Sequence, residues 1–202
     1  MPADCPGRRS TEKPMRTTRF GSCCLLAALG WVLVAGGASA GEWKPAADGS
    51  SVTLHTIKQG ASFSGVFDEF TATIDFDESA PEAGRIVGNV RTDSYRTADP
   101  QNDTYVRGYL DVEQFPEARF ESARIETTPE GYLASGELTI KGITKPATLL
   151  FIFTTTSESG PAAARFQGLM TINRFDFDVA ADVDTSWAGR DVTVAIDLHL
   201  EP

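Results

Sequence analysis

Side chains able to do covalent or metal chemistry are few in this chain, and poorly spaced for it. There are two histidines, His55 and His199. With distant carboxylates they could hold a transition metal. Both, however, fall on the polar side of alternating runs, where solvated surface accounts for them better. The three cysteines, Cys5, Cys23 and Cys24, all precede Ala40, so the remainder has neither a thiol nucleophile nor a disulfide. Asp75, Asp77 and Glu78 form one acidic cluster, and Asp176, Asp178, Asp182 and Asp184 another. Calcium favours such oxygens, but neither cluster has the Gly and distal Glu of an EF-hand loop, so solvated carboxylates are the better account. Within residues 41–202 there is no Gly-x-Ser-x-Gly elbow and no Ser-x-x-Lys pair. Nor does a glycine-rich loop precede a helix to cradle phosphate. This inventory predicts no catalytic residue, no metal site and no cofactor.

What the chain does supply is large apolar side chains on alternate positions. Of twelve Phe, all but Phe20 lie beyond residue 40, several with a small residue two places away: Phe63 and Gly65, Phe70 and Ala72, Phe166 and Gly168. Two accounts are open here. The small residues could relieve crowding in a filled barrel core. Alternatively, the alternation could leave an aromatic-lined tunnel for an acyl or prenyl chain.

The elements that must position these residues are strands. Alternation at period two runs from residue 51 to the end. Val52 and Leu54 oppose Ser51, Thr53 and His55; Phe70, Ala72, Ile74 and Phe76 oppose Thr71, Thr73, Asp75 and Asp77; Ile86, Gly88 and Val90 form another set. Val192, Val194, Ile196, Leu198 and Leu200 close the series. One apolar and one polar face per strand suits an antiparallel sheet curled around an interior. Turns are expected at Pro129-Glu130-Gly131, at Lys141-Gly142 and across 157–161. The stretch from Ser94 to Pro116 interrupts the pattern and predicts a short helical connection, with Asp103 as its cap and Val106 and Leu110 on its apolar side. Without repeats or linkers, residues 41–202 form one all-β domain.

The leader precedes this domain. A basic segment, Met15-Arg16-Thr17-Thr18-Arg19, runs into an apolar stretch from Cys23 to Ala35, then Ala38-Ser39-Ala40. That order describes a secretory signal spanning residues 1–40 and cut after Ala40. An uncleaved anchor is the alternative, since the run is only slightly short for a membrane span; the small-residue site favours cleavage. Met15 would serve equally well as a start. The expected location is periplasmic or secreted. Removing residues 1–40 takes away Arg8, Arg9, Lys13, Arg16 and Arg19 but only Asp4 and Glu12, so the formal charge of −10 becomes −13. Such a surface repels phosphate backbones and argues against nucleic acid as a partner.

The order of motifs adds a resemblance. Gln59-Gly60-Ala61-Ser62-Phe63-Ser64-Gly65-Val66-Phe67 opens the series. Phe115-Pro116-Glu117-Ala118-Arg119-Phe120-Glu121-Ser122 follows, then Gly136-Glu137-Leu138-Thr139-Ile140-Lys141-Gly142-Ile143-Thr144-Lys145-Pro146. Together they resemble the YceI-like family of bacterial exported polyisoprenoid-binding proteins, across essentially all of residues 41–202. The resemblance implies an eight-stranded, lipocalin-like antiparallel barrel with an amphiphile inside and no catalyst. The expected partner is an isoprenoid, a prenyl quinone or a fatty-acyl lipid; the alternative is an accessory role beside a membrane b-type cytochrome or in a stress-response system. A homodimer is also common in the family.

Carried onto this chain, the resemblance implies a tail-binding wall of Phe63, Phe67, Phe70, Ile74, Phe120, Leu138, Phe151, Phe153, Met170 and Phe175. Tyr95, Tyr105, Arg107 and Arg174 are expected at the mouth, although Arg107 could instead pair with Asp103 at i,i+4. In one place the chain departs from the family: Asp178 stands where a Gly usually follows Phe177, which implies a narrower or more polar pocket end.

Overall fold

The period-two alternation is realised as an antiparallel barrel. In the computed structural model, residues 42–156 and 163–202 are described. The strands are β1 Glu42–Pro45, β2 Ser51–Lys58, β3 Ala61–Phe67, β4 Phe70–Asp75, β5 Arg85–Arg91, β6 Tyr95–Arg96, β7 Glu117–Thr128, β8 Gly131–Ile140, β9 Ile143–Thr156, β10 Ala163–Asn173 and β11 Asp191–Glu201. A single α-helix among the described residues, α1, spans Pro100–Leu110. The leader, and the turn expected across 157–161, lie outside the described residues.

A short strand closes the barrel. β1 pairs with β4 through Trp43 and Ile74, and with β11 through Pro45 and Leu200. The ring therefore runs β1, β4, β5, β7, β8, β9, β10, β11 and back to β1, eight antiparallel strands with no free edge between them. β2 pairs with the first half of β11, and β3 and β6 extend from it. β1 is four residues long and ends in proline, too short to show alternation in the sequence.

Turn chemistry fixes the register. Gln59-Gly60 joins β2 to β3 and Lys141-Gly142 joins β8 to β9, with positive φ at both residues of each pair (51° and 78°, 50° and 71°). Two-residue hairpins of this hand match the twist of the flanking strands. The helix differs from expectation at its start. Asp99, not Asp103, is the cap: its Oδ1 accepts from the Gln101 amide at 2.9 Å, with Pro100 in the first turn. Asp103 sits one turn inside the helix, buried, and accepts from the amide and the hydroxyl of Thr97 at 2.6 and 2.7 Å. It ties the helix to the end of β6 instead of starting it.

The interior has two unlike ends. At one, Trp43, Phe76, Tyr132, Phe151, Phe153 and Phe166 interlock with ring centroids 4.8–5.7 Å apart. Edge and offset contacts of this kind add to their burial. At the other end, α1 and the segment from Val179 to Gly189 lie over the barrel mouth, and the interior there is open.

Candidate ligand-binding site

Between the aromatic plug and the helix the barrel encloses an apolar cavity of about 160 Å³. Ile74, Phe120, Leu138, Met170 and Ile196 are among its walls. A space of some 15 Å³ on this measure suffices for one buried water, so this is no packing flaw. At roughly 24 cal/mol per Å³, leaving it unfilled forgoes about 4 kcal/mol of packing.

Glycines show why one part is full and another hollow. Gly88 on β5 faces inward between Ala72 and Phe120, and a Cβ placed there would meet nothing within 4 Å. By contrast, a Cβ on Gly168 would press on Leu149 and Phe166 at 3.0 Å, and one on Gly65 would collide with the Tyr95 ring. Gly65 and Gly168, the two flagged beside phenylalanines in the sequence, accommodate neighbours. Gly88 opens the cavity.

A second apolar space of about 110 Å³ lies beyond the first, toward α1. The two share Leu54, Leu110, Arg174, Val179 and Val192 as walls, so they adjoin. This outer vestibule is bounded by β2, Phe63 of β3, α1 and the 179–189 segment, with Tyr105 and Trp187 half exposed at its rim. Its one charged group with donors to spare is Lys58. The ammonium donates to Asn102 Oδ1 at 2.5 Å, and lies 4.9 Å from the Trp187 ring centroid and 5.4 Å from that of Phe63.

Arg174 also borders both spaces, yet every donor it has is committed. Nε donates to the Gly189 carbonyl, Nη1 to Val179 and Ala180, and Nη2 to Val183 and Ala188. Only 4 % of the residue is exposed. Burial pushes its guanidinium down from its ordinary value, against the pull of Asp182 and Asp184. Arginine keeps its charge regardless, and that charge holds the segment arching over the mouth.

Of the fourteen residues expected at the site, Phe67, Phe70, Ile74, Phe120, Leu138 and Met170 line the inner cavity. Phe63 and Tyr105 line the vestibule, and Arg174 lines both. The other five are elsewhere. Phe151 and Phe153 belong to the aromatic plug. Phe175 lies outside both spaces with the Arg174 guanidinium 4.0 Å over its ring. Tyr95 is fully buried opposite Gly65, its hydroxyl without a protein partner, and burial next to Asp103 pushes that hydroxyl's pKa far up. Arg107 neither reaches the mouth nor pairs with Asp103; it donates from Nε and Nη2 to the Tyr95 carbonyl at 3.1 and 2.7 Å, fastening α1 to β6.

Asp178 does not touch the pocket. Its side chain is 69 % exposed, 3.9 Å from Lys141, and its backbone is left-handed at φ 53°. That conformation, not the pocket, is what a Gly would serve at this position. His55 and His199 are both exposed on the outer face. Sequence reasoning passed over Gly88, Lys58, Asn102 and Trp187 as site residues. A signal for Lys58 existed, since it lies four and six residues beyond Leu54 and Val52, on their inward face.

Comparison with known proteins agrees with this architecture. The profile of the YceI-like domain matches residues 43–200. A UPF0312 protein of Yersinia pestis is 30% identical over 159 residues, covering 75% of this chain and 83% of its own. Among solved structures, Burkholderia cenocepacia BcnA superposes with a TM-score of 0.70 at 24% identity, covering 77% of this chain and 98% of BcnA. A polyisoprenoid binding domain from Saccharophagus degradans, implicated in plant cell wall breakdown, gives 0.55 at 14% identity, covering 79% and 97%.

Proposed function

The chain belongs to the YceI-like domain family, and from that premise we propose that it is an exported, non-catalytic carrier. Its ligand would be a long-chain isoprenoid, such as a prenyl quinone, or a related amphiphilic lipid. The observation that carries the reading is the hollow behind Gly88, which adjoins a second apolar space at the mouth. A chain laid from vestibule to cavity would remove apolar surface from water at about 25 cal/mol per Å², less the cost of ordering it. The polyisoprenoid binding domain of S. degradans, which shares the fold, supports the ligand class. Export is supported by the basic, apolar and small-residue segments between Met15 and Ala40.

Native mass spectrometry of the protein, purified without detergent from cells expressing the full chain, tests this directly. A stoichiometric prenyl or acyl adduct, identified after organic extraction, is the expected result. A bare mass, together with a melting temperature that prenyl quinones do not raise, would move a docking role beside a membrane cytochrome into first place.

A further inference from the structure

The vestibule combines an apolar wall with one underused cation. Eight of the described basic side chains lie within 4.0 Å of a carboxylate. Lys58 does not, although acidic groups outnumber basic ones in the chain. Its partners are Asn102 Oδ1 and the faces of Trp187 and Phe63. The nearest acid along this hydrogen-bond chain is Asp99, which Asn102 reaches through Nδ2 at 3.2 Å. Asp99 is already the cap of α1. Arg174, the other cation at the wall, has no N–H left to give.

Aromatic faces hold an ammonium in place without neutralising it. An ammonium has three donors, and Asn102 takes one. Two remain, beside apolar walls where a counter-charge counts for more than in bulk water.

We propose that the vestibule is a head-group site for an anionic amphiphile, a prenyl or acyl chain ending in a phosphate or carboxylate. Its charged oxygen meets Lys58 while the chain passes Leu54 and Val192 into the barrel. This deepens the carrier reading and rests on it. A neutral head, such as a quinone ring, leaves the ammonium with Asn102 alone.

The test uses ligands that share a tail and differ in head. Geranylgeranyl phosphate and geranylgeraniol form one pair, palmitate and hexadecanol the other. Each is titrated into delipidated protein made from the full chain, with emission from Trp187, which touches Lys58, as the readout. A W43F background removes the second described tryptophan. The anionic member of at least one pair is expected to bind ten-fold or more tighter; the pair that shows it distinguishes phosphate from carboxylate. K58M should erase that preference and K58R retain it. Equal affinity within both pairs overturns the proposal and leaves the carrier reading standing, with Lys58 merely resting on the rings. The same holds if the preference survives in K58M. If no member of either pair binds, the carrier reading itself falls, and the proposal with it.

Discussion

Filling the space behind Gly88 should strengthen the empty protein and weaken ligand binding together. In Gly88→Leu four carbons enter a cavity of about 160 Å³ that no atom approaches within 4 Å of the added Cβ. At about 0.8 kcal/mol for each buried carbon, the transfer gain approaches 3 kcal/mol. Removing a strand glycine adds about 0.5–1 kcal/mol. Fixing one leucine rotamer costs about 0.5–1 kcal/mol, and imperfect fit against Phe120 offsets more. The net expectation for delipidated protein is a gain of about 2 kcal/mol, or roughly 4–8 °C in melting temperature for a domain of this size. Urea denaturation and thermal melts measure it, alongside lipid titrations on the same preparation. Affinity for a prenyl chain should fall at least ten-fold, because the leucine occupies the tail's path. A filled core predicts the opposite pair of results: a loss of stability from overpacking, and no change in binding. That outcome would refute the assignment of the hollow as a ligand chamber.

Three further outcomes follow from the geometry. Arg174→Met withdraws charged donors from five carbonyls in a nearly buried site; at about 1.5–3 kcal/mol for each such bond before non-additivity, a loss of 3 kcal/mol or more is expected by urea denaturation. A loss below about 1 kcal/mol would mean the 179–189 segment holds itself. Asp178→Gly relieves a left-handed backbone, worth about 1–2 kcal/mol, at glycine's own entropic cost of about 0.5–1 kcal/mol, and gives up only an exposed carboxylate. Melts should therefore show a net gain of about 0.5 kcal/mol. The third outcome concerns pH. Hydrogen bonds from Arg96, from Arg165, and from Arg85 and Arg119 hold the carboxyls of Asp68, Asp197 and Glu121, respectively, below their ordinary values of 3.8, 3.8 and 4.5. Lowered carboxyl values mean that the stability they add is complete above those ordinary values and disappears as acid protonates them. The melting temperature should therefore hold steady from neutrality to about pH 5 and fall below about pH 4. Asp197→Asn should make that fall shallower; an unchanged slope would show that Asp197 contributes nothing to it.

Most of the wall was legible because it obeys period two. Phe70 and Ile74, or Val192 to Leu198, declare their face by alternation alone. Every described strand that this pattern anticipated is present. β1 was not legible, because four residues cannot display a period, and its pairing with both β4 and β11 exists only once the barrel closes. Depth along a strand was not legible either. Phe151 and Phe153 face inward like Met170, but they sit at the height of Trp43 and Phe76, where large rings leave no room. Alternation says which side a residue faces and nothing about what stands opposite. The errors at the mouth have a different origin. Tyr95 and Arg107 were expected there from the resemblance, which does not report what lies beside them in this chain; one fills the space that Gly65 leaves, and the other caps its carbonyl.

These two kinds of miss explain how one sheet can be solid at one end and hollow at the other. Inward positions at the plug carry Trp, Phe and Tyr, which meet edge to face across the axis. Midway along the barrel the row across β4, β5 and β7 reads Ala72, Gly88, Phe120, so two of three adjacent strands bring almost no side chain to the axis. A barrel of fixed strand number has nearly constant width. Its filling is therefore decided layer by layer, by the summed size of the residues at each height. A layer of small residues could collapse only by bending the sheet, and the closed ring from β1 to β11 resists that. The aromatic plug and the ring closure thus hold open a space of about 160 Å³ that a less constrained core would close. The roughly 4 kcal/mol of packing forgone there is available to whatever chain enters.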